Sequence, residues 1–321
     1  MNILISSAGR RVGLVRAFQT DARALIPDCR VIASDQQPGL AAACLVADSS
    51  FRVPAAGASN YIDVLESECI SRGISLVVPT IDSELQILAQ AAQRLQAAGI
   101  ALAISDSQLI AASSDKALTP GLFAQLDMRT PRAMAVEELE FPVFVKPRRG
   151  SGSLDVTLAH SHDDLTKNHL VNQRYIFQEY MDPAEFDEVT VDLYYDRAGN
   201  LKCLVPRLRI ETRAGEVSKG RTLRDAIYPY LLKRLTQLPG ARGCVTLQIF
   251  CNPNQSRILG IEINPRFGGG YPLSYAAGAH FPGWLIREYL LNERVPFFDE
   301  WESNLTMLRY DEGIFFSAVP D

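Results

Sequence analysis

The residues best suited to chemistry lie in one stretch, GCVTLQIFCNPNQSRILGIEINPRFGGG, at positions 243–270. Apolar and polar residues alternate on both sides of its Asn/Pro turn, which predicts two short strands joined as a β-hairpin. If Cys251 pairs with Leu259 across the turn, the antiparallel register places Gln248 directly opposite Glu262. The hairpin therefore predicts a carboxylate and an amide side by side.

Asn264 adds a third oxygen-bearing side chain to this face, because side chains two residues apart on a strand point the same way as Glu262. One carboxylate and two amide oxygens suit a hard divalent cation, Mg²⁺ or alternatively Mn²⁺, whose shell is completed by substrate phosphates and water. Arg266 follows two residues later and can hold a phosphate or stabilise an anionic transition state. We expect a metal and phosphate site here.

A simpler interpretation of the hairpin is that Glu262 is an ordinary exposed carboxylate and that the Asn-Pro dipeptide is ordinary turn chemistry. The apolar residues of the two strands favour the metal site. Strands this rich in Val, Ile and Leu are expected to be covered, and a covered face that carries Gln, Glu, Asn and Arg needs partners for all of them.

Two lysines precede segments that suit an anion. Lys146 ends the apolar strand FPVFVKP, and the Gly/Ser loop at 148–153 that follows offers backbone N–H groups able to close over phosphates. The loop lacks the GxxxxGK[ST] pattern of a P-loop, and a Gly/Ser loop alone is more often a plain hairpin. Lys116 belongs to SSDK, which predicts a helix start and a helix to about Leu126. A lysine is disfavoured at a helix N-terminus, which indicates a compensating anion.

Charged residues in the second half of the chain supply further candidates. Residues 179–181 (Glu-Tyr-Met) lie between two strand patterns, as a connector between lobes would, and Glu188 leads the next strand. Arg207 and Arg209 share one face of a later strand, and pairing with the segment of Lys219 would bring three cations together. Such side chains are usually solvated, so a solvated face and an anion site are equal alternatives here.

Residues 1–112 alternate short apolar strands with helical patterns at about 12–25, 61–72 and 84–98, which predicts a doubly wound parallel sheet. Its strand-end loops, at 6–11, 34–35 and 79–82, should cluster at the carboxyl edge where such folds bind ligands. The GxGxxG spacing of a dinucleotide site is absent, which disfavours an NAD-dependent oxidoreductase. We expect this lobe to be a scaffold that lines a shared cleft.

Composition narrows the partners. The 321 residues are 47% hydrophobic and 21% charged, which is typical of a soluble globular protein of two or three lobes. The net charge of -5 without a block of like charges gives no footprint for nucleic acid or an anionic membrane. The six cysteines form no CxxC, and the chain shows neither a signal-peptide core nor a membrane-length apolar run. We therefore expect a cytoplasmic protein with small-molecule partners, no nucleic acid and no membrane.

The order and spacing of these candidates resemble the ATP-grasp superfamily, in particular one synthetase unit of the carbamoyl phosphate synthase large subunit. The metal-site pattern of that subunit, Gln and then Glu-x-Asn-Pro-Arg, is repeated here in QIF…GIEINPR. The resemblance covers nearly the whole chain. This sequence departs from that subunit by having one such unit and no glutaminase, so we do not expect it to make carbamoyl phosphate.

The resemblance implies a combined α/β and α+β fold with a pre-ATP-grasp Rossmann-like domain at 1–112, an ATP-grasp small lobe at 113–182 and a C-terminal lobe with the metal site at 183–321. It also implies ATP and Mg²⁺ as ligands, and homodimerisation is a family-level expectation. The implied ATP-binding residues are Lys116, Lys146, Arg148, Gly150, Ser151, Gly152, Ser153, Glu179, Tyr180, Met181 and Glu188. The implied metal ligands are Gln248, Glu262 and Asn264, and the implied catalytic residues are Arg266 and Arg209.

The implied reaction is ATP-dependent activation of a carboxylate as an acyl phosphate, followed by attack of an amine. The residues suit it, because this chemistry needs charge neutralisation and alignment more than a protein nucleophile. The alternative is a nucleotide-binding regulatory or inactive member of the superfamily, which would bind ATP without turnover. The polar loops that would select the acid and the amine do not reveal either substrate.

Overall fold

The computed structural model describes residues 1–150, 155–213, 215–252, 254 and 256–317. In these residues the chain forms a five-stranded, a four-stranded and a six-stranded sheet. Ser151, Gly152 and Ser153, which the sequence predicts to bind phosphates, lie outside the described residues.

The five-stranded sheet belongs to the N-terminal lobe. Its strands are β1 (Asn2–Ser6), β2 (Val31–Asp35), β3 (Ser49–Arg52), β4 (Ile74–Pro79) and β5 (Ala101–Leu102), and its helices are α1 (Val12–Leu25), α2 (Ala42–Val46), α3 (Tyr61–Ser71) and α4 (Asp82–Ala97). The strand order is β3-β2-β1-β4-β5, and every pairing is parallel. The predicted doubly wound sheet is thus confirmed, while α2 and β3 have no counterpart in the prediction.

The four-stranded sheet forms a small lobe. Two short helices, α5 (Ser107–Ser113) and α6 (Thr119–Gln125), lead into β6 (Ala133–Met134), β7 (Val143–Pro147), β8 (Thr157–Ala159), α7 (Lys167–Val171) and β9 (Tyr175–Glu179). The sheet order is β6-β9-β7-β8, all antiparallel. The helix predicted to run to about Leu126 is present as α6, but its predicted start at residues 113–116 is wrong: α5 ends at Ser113 and α6 begins at Thr119, so Lys116 lies in the turn between two helices.

The six-stranded sheet completes the chain. It contains β10 (Asp187–Tyr195), β11 (Leu201–Arg213), β12 (Glu216–Thr222), β13 (Gly243–Cys251), β14 (Ile258–Asn264) and β15 (Thr306–Leu308), and its helices are α8 (Ile227–Leu235), α9 (Tyr271–Ala276) and α10 (Phe281–Tyr289). The order is β14-β13-β10-β11-β12-β15. Described residues 313–317 of the C-terminal tail form no strand.

The N-terminal and C-terminal lobes share one hydrophobic core. The buried face of β1 and helix α1 packs in the same cluster as β10, β13 and α10. The buried Asp21 carboxylate on α1 fixes this junction by accepting hydrogen bonds from the Gly283 backbone N–H at 2.9 Å and the Tyr275 hydroxyl at 2.8 Å. The small lobe instead has a core of its own around Val143, Val145 and Phe177.

Candidate functional site

A cleft of about 730 Å³ opens where the three sheets face one another. Its walls come from the end of β7, from β10 to β14, from the loop after β1 and from residues 268–270. The predicted site residues that line it are Lys116, Lys146, Gly150, Glu188, Arg209, Gln248, Glu262, Asn264 and Arg266. Residues predicted from distant parts of the sequence therefore converge on one space.

In the hairpin at the centre of the cleft, Gln248 pairs with Glu262 as predicted, but the register of the strands near the turn differs from the predicted one. At the turn, Cys251 pairs with Ile258 and not with Leu259, so the assumed starting register is wrong by one residue. A β-bulge corrects the difference, because Ile249 pairs with Gly260 and Ile261 is left as the extra residue on β14. The bulge brings Glu262 back opposite Gln248.

Gly260 shows why the bulge lies where it does. A β-carbon at this position would come within 2.2 Å of the Phe123 ring from α6, so only glycine lets the strand approach that helix. The Gly260 backbone N–H also donates to the Arg129 carbonyl at 2.7 Å. Helix α6 thereby helps hold the register of the strand that carries Glu262.

Asn264 and Arg266 extend the polar row of β14. Asn264 Nδ2 donates to Glu262 Oε1 at 2.9 Å, which shows that the two side chains share a face. The Arg266 guanidinium donates two hydrogen bonds to Asp82 at the start of α4, at 2.8 and 2.6 Å, and a longer one to Asn264 Oδ1 at 3.4 Å. Asp82 of the N-terminal lobe therefore orients the arginine that faces the cleft.

Lys146 reaches the cleft from the small lobe with only 8% of its surface exposed. Burial lowers the pKa of its ammonium to about 8, although the Glu262 carboxylate opposes this effect, and the neighbouring charge of Lys116 strengthens it. A buried cation in an open cleft is poorly compensated by the protein alone. An anionic ligand would restore its ordinary affinity for a proton.

The turn before α6 brings Lys116 to the rim of the cleft. Lys116 Nζ donates to the Gly150 carbonyl at 2.5 Å, and its backbone N–H donates to the Arg148 carbonyl at 2.8 Å. Arg148 does not line the main cleft; its guanidinium donates to the Asp115 carboxylate at 3.1 and 2.6 Å. The prediction places Arg148 on phosphates, whereas here it anchors the start of the loop.

Glu188 on β10 and Arg209 on the neighbouring strand β11 form an ion pair in the cleft. Arg209 Nη1 donates to Glu188 Oε1 at 2.6 Å and Nη2 to the Gly215 carbonyl at 3.0 Å, while the buried Nε has no partner within the described residues. Burial raises the pKa of Glu188, Arg209 counteracts this rise, and the like charge of Glu262 adds to it. Two carboxylates thus share one site, an arrangement that a cation would stabilise.

Sequence comparison with known families identifies the fold that carries this cleft. Residues 172–310 match the family model described as ATP-grasp in the biosynthetic pathway with Ter operon. Residues 3–103 match the model of the PylC-like, N-terminal domain. Over residues 172–310 the chain belongs to the ATP-grasp superfamily. No curated protein matches the sequence.

Solved structures share the ATP-grasp fold of this chain at low sequence identity. The biotin carboxylase domain of Hydrogenobacter thermophilus 2-oxoglutarate carboxylase matches with a TM-score of 0.73 and 16% identity, over 95% of this chain and 73% of that one. N5-carboxyaminoimidazole synthetase from Staphylococcus aureus matches with 0.69 and 15%, over 96% and 79%. L-amino acid ligase from Bacillus licheniformis matches with 0.67 and 17%, over 90% and 74%. At such identities the likeness establishes the fold alone.

Residues 179–181, the predicted connector between lobes, make contacts that the sequence does not reveal. The Glu179 carboxylate accepts a hydrogen bond from Arg257 at 2.6 Å and one from the Arg132 backbone at 3.2 Å. Met181 is buried in a small cluster with Phe250, which lines the cleft. Glu179, Tyr180 and Met181 themselves do not line the main cleft. Their predicted contact with adenine stays a prediction.

Arg207 and Lys219 do not form the predicted cation group with Arg209. Strands β11 and β12 pair as expected. Arg207 is 1% exposed, however, and donates to Asp192 at 2.7 and 3.0 Å, while Lys219 donates to Glu211 at 2.6 Å on the exposed side. Both cations are neutralised by carboxylates nearby, so among these three arginine and lysine side chains only Arg209 keeps a buried donor without a partner.

Three cleft residues, Arg10, Arg11 and Glu216, were not singled out as site residues from the sequence, and neither was Asp82, which does not line the cleft but binds Arg266. Arg10, Arg11 and Asp82 belong to the strand-end loops that were expected to line a shared cleft, and Glu216 begins β12. Their position at the carboxyl edge of the parallel sheet was the available signal. The pairing of Asp82 with Arg266 could not be predicted, because the two residues lie in different lobes.

The donor set around Glu262 fits a divalent cation that also binds phosphates. No group of three or more His, Cys, Asp or Glu side chains suited to a metal occurs among the described residues. Glu262, Gln248 and Asn264 supply one carboxylate and two amides, so phosphate oxygens and water would have to complete the shell, as is usual for Mg²⁺.

Among the described residues no helix has the length and the apolar character needed to cross a membrane.

Proposed function

We propose that this chain is an ATP-dependent ligase that activates a carboxylate as an acyl phosphate for attack by an amine. The observation that carries the proposal is the pairing of Gln248 with Glu262 in a cleft that Lys146 enters from the facing lobe. The solved structures of similar fold support it, since one is described with MgADP and bicarbonate and another is named an L-amino acid ligase.

The nucleotide would lie between the small lobe and the six-stranded sheet. Lys146, Lys116 and the backbone of Gly150 would bind its phosphates, and Glu188 would accept hydrogen bonds from the ribose. Glu179 with the backbone at 180–181 would meet the adenine edge. The placements of Lys116, Lys146 and Glu188 are supported by their positions in the cleft wall, whereas that of residues 179–181 rests on the resemblance of the sequence.

Gln248, Glu262 and Asn264 would bind Mg²⁺. The bound ion would neutralise negative charge on the phosphates. The role left to the protein is to position the carboxylate substrate and to stabilise charge that develops during transfer. Arg266 is suited to this because Asp82 fixes two of its donors and leaves the guanidinium beside Asn264. Arg209 on strand β11 would help to stabilise the same charge.

The reaction proceeds in two transfers. A carboxylate oxygen of the first substrate attacks the γ-phosphorus of ATP, the bond to the β,γ-bridging oxygen breaks, and ADP leaves. The amine nitrogen of the second substrate then attacks the acyl carbon, the carbon–oxygen bond to the phosphoryl group breaks, and phosphate leaves while the amine proton passes to water. No protein nucleophile is required.

An ADP-release screen over amino acids and small carboxylates, with Mg²⁺ present, tests the proposal. We expect at least one acid and amine pair to give ADP and phosphate. In Glu262→Ala we expect ADP release to fall by about 100-fold or more, because a bound metal supplies several kcal/mol of transition-state stabilisation. The control is Glu293→Ala, which removes an exposed carboxylate that pairs with Arg287 outside the cleft.

Two outcomes would contradict the proposal in different ways. Wild-type activity in a folded Glu262→Ala variant would remove the metal assignment. ATP binding without ADP release for every pair would exclude the ligase and favour a regulatory nucleotide-binding protein. Thermal unfolding of each variant shows whether a loss of activity reflects a loss of fold.

A further inference from the structure

Arg11 occupies the end of the cleft that lies toward the N-terminal lobe. It caps helix α1, and it lines the cleft together with Gly268, Gly269 and Gly270. Its Nη1 atom is buried and has no hydrogen-bond partner among the described residues. A buried guanidinium donor without a partner is costly, and in a cleft it indicates a missing ligand group.

The neighbouring carboxylate does not satisfy Arg11. Glu216 is shared by two other arginines, since Arg309 lies at 3.0 Å and Arg10 at 3.7 Å from its carboxylate oxygens. A β-carbon on Gly269 would lie 3.1 Å from Arg11 Nη1 and 3.1 Å from the Glu216 carboxyl carbon. Glycine at 269 therefore lets the backbone pack closely against Arg11 and keeps a side chain from crowding the unpartnered nitrogen.

Electrostatics at this end favour an anion. Burial lowers the pKa of the Arg11 guanidinium and the nearby charges of Arg266 and Arg309 add to the effect, while the Glu216 and Asp82 carboxylates oppose it without reversing it. Helix α1 has 14 residues and no acidic residue in its first turn, so its N-terminal dipole is not compensated from within the helix. A bound carboxylate would relieve both the burial cost and the repulsion between arginines.

This position differs from the phosphate end of the cleft. The charges that act on Lys146 are those of Glu262 and Lys116, whereas those that act on Arg11 are Arg266, Glu216, Arg309 and Asp82. Arg266 belongs to both surroundings, because it also reaches Asn264 beside Glu262. A substrate whose reacting carboxylate lies at Arg266 would thus present any second anionic group toward Arg11.

We propose that Arg11 is a specificity-determining residue that binds a second, non-reacting carboxylate of a substrate. The inference rests on the proposed ligase function and names its substrate class: dicarboxylic acids, or amino acids whose own carboxylate stays free. The second carboxylate belongs either to the activated acid or to the amine, and the shared chemistry is a carboxylate held by a guanidinium.

Calorimetric titration of the full chain with Mg²⁺ and a non-hydrolysable ATP analogue tests this directly. The probes are the proteinogenic amino acids and the C3–C6 dicarboxylic acids, each compared with its monoamide or α-amide. We expect at least one probe to bind, and its affinity for the wild type to fall about 10- to 100-fold when its carboxylate is amidated. The affinity of the unmodified probe should fall by the same factor in Arg11→Gln, since a charge-assisted pair is lost in both cases. In Arg11→Gln the amide should bind no more weakly than it does to the wild type.

The matched control is Arg16→Gln, which removes an exposed arginine of helix α1 that does not line the cleft; we expect less than a threefold change in affinity. ADP formation in a single turnover distinguishes the two sources, because the activated acid alone yields ADP and the amine alone does not. Equal affinity in wild type and Arg11→Gln, or no binder among the probes, would overturn the role of Arg11. Carboxylate binding that depends on Arg11 without any ADP release would instead contradict the ligase function alone.

Discussion

Lys146 offers the sharpest test of the cleft, because the protein holds its ammonium at a cost. Burial lowers its pKa from the ordinary value of 10.5 to about 8, and each pKa unit corresponds to about 1.4 kcal/mol. The folded state therefore binds this proton less tightly than the unfolded state by about 3 kcal/mol. The deficit is complete below pH 8 and disappears as the pH rises toward 10.5.

Replacing Lys146 by methionine removes the buried charge and keeps the aliphatic stem. We expect Lys146→Met to raise the free energy of unfolding at pH 7 by up to about 3 kcal/mol, and the gain to shrink between pH 8 and pH 10. Urea denaturation at several pH values measures this. Lys233→Met on the exposed face of helix α8 is the control and should change the stability little.

Under the proposed function the same variant should lose nucleotide affinity, because phosphates would compensate the charge of Lys146. At pH 8 about half of the Lys146 side chains carry a proton, so nucleotide binding that restores the ordinary pKa should take up about half a proton per site. Calorimetry in buffers of different ionisation enthalpy measures this uptake, which should approach zero at pH 6. A Lys146→Met variant with unchanged stability, unchanged affinity and unchanged proton uptake would refute the reasoning.

Two further predictions concern the N-terminal lobe. Glu84 is fully buried and accepts hydrogen bonds from the Ser6 and Ser7 hydroxyls, and burial raises its pKa from 4.5 to about 7. Its contribution to stability is present below pH 4.5 and is lost as the pH rises through 7, so in urea denaturation Glu84→Gln should gain up to about 3 kcal/mol on the wild type between pH 5 and pH 8. Asp82→Asn should lower kcat about 10-fold with little change in the KM for ATP, because it loosens Arg266 without touching the nucleotide; a change in KM alone would contradict this.

The fold was predictable where hydrophobic periodicity is strong and local. Helix α1 begins at Val12 and ends at Leu25 as predicted, because its apolar stripe is regular over the whole length. The start predicted for the next helix, at Ser113, was wrong because residues that cap helices also form turns. The Asp115 carboxylate accepts hydrogen bonds from the Ala117 backbone and from Arg148, and these bonds stabilise a turn before α6. Side chains from another segment decided between the two.

The hairpin shows the same limit at finer scale. Alternation predicted which residues share a face, and Gln248 does pair with Glu262. The bulge at Ile261 was not predictable, because it depends on the packing of Gly260 against Phe123, a residue more than one hundred positions away. Likewise no sequence pattern links Asp82 to Arg266, since that contact exists only after two lobes have joined.

The division of the cores explains how one cleft can treat its two ends differently. The N-terminal and C-terminal lobes share a core, so Arg11 and Asp82 are fixed rigidly relative to Arg266. Lys146 belongs to a lobe with its own core and meets Glu262 only across the cleft. Under the proposed function, substrate recognition would thus rest on a preformed wall, whereas phosphate binding would depend on the position of the small lobe. Substitutions at Arg11 and Lys146 should accordingly act on different ligands, because the two side chains share neither a core nor a hydrogen-bond partner among the described residues.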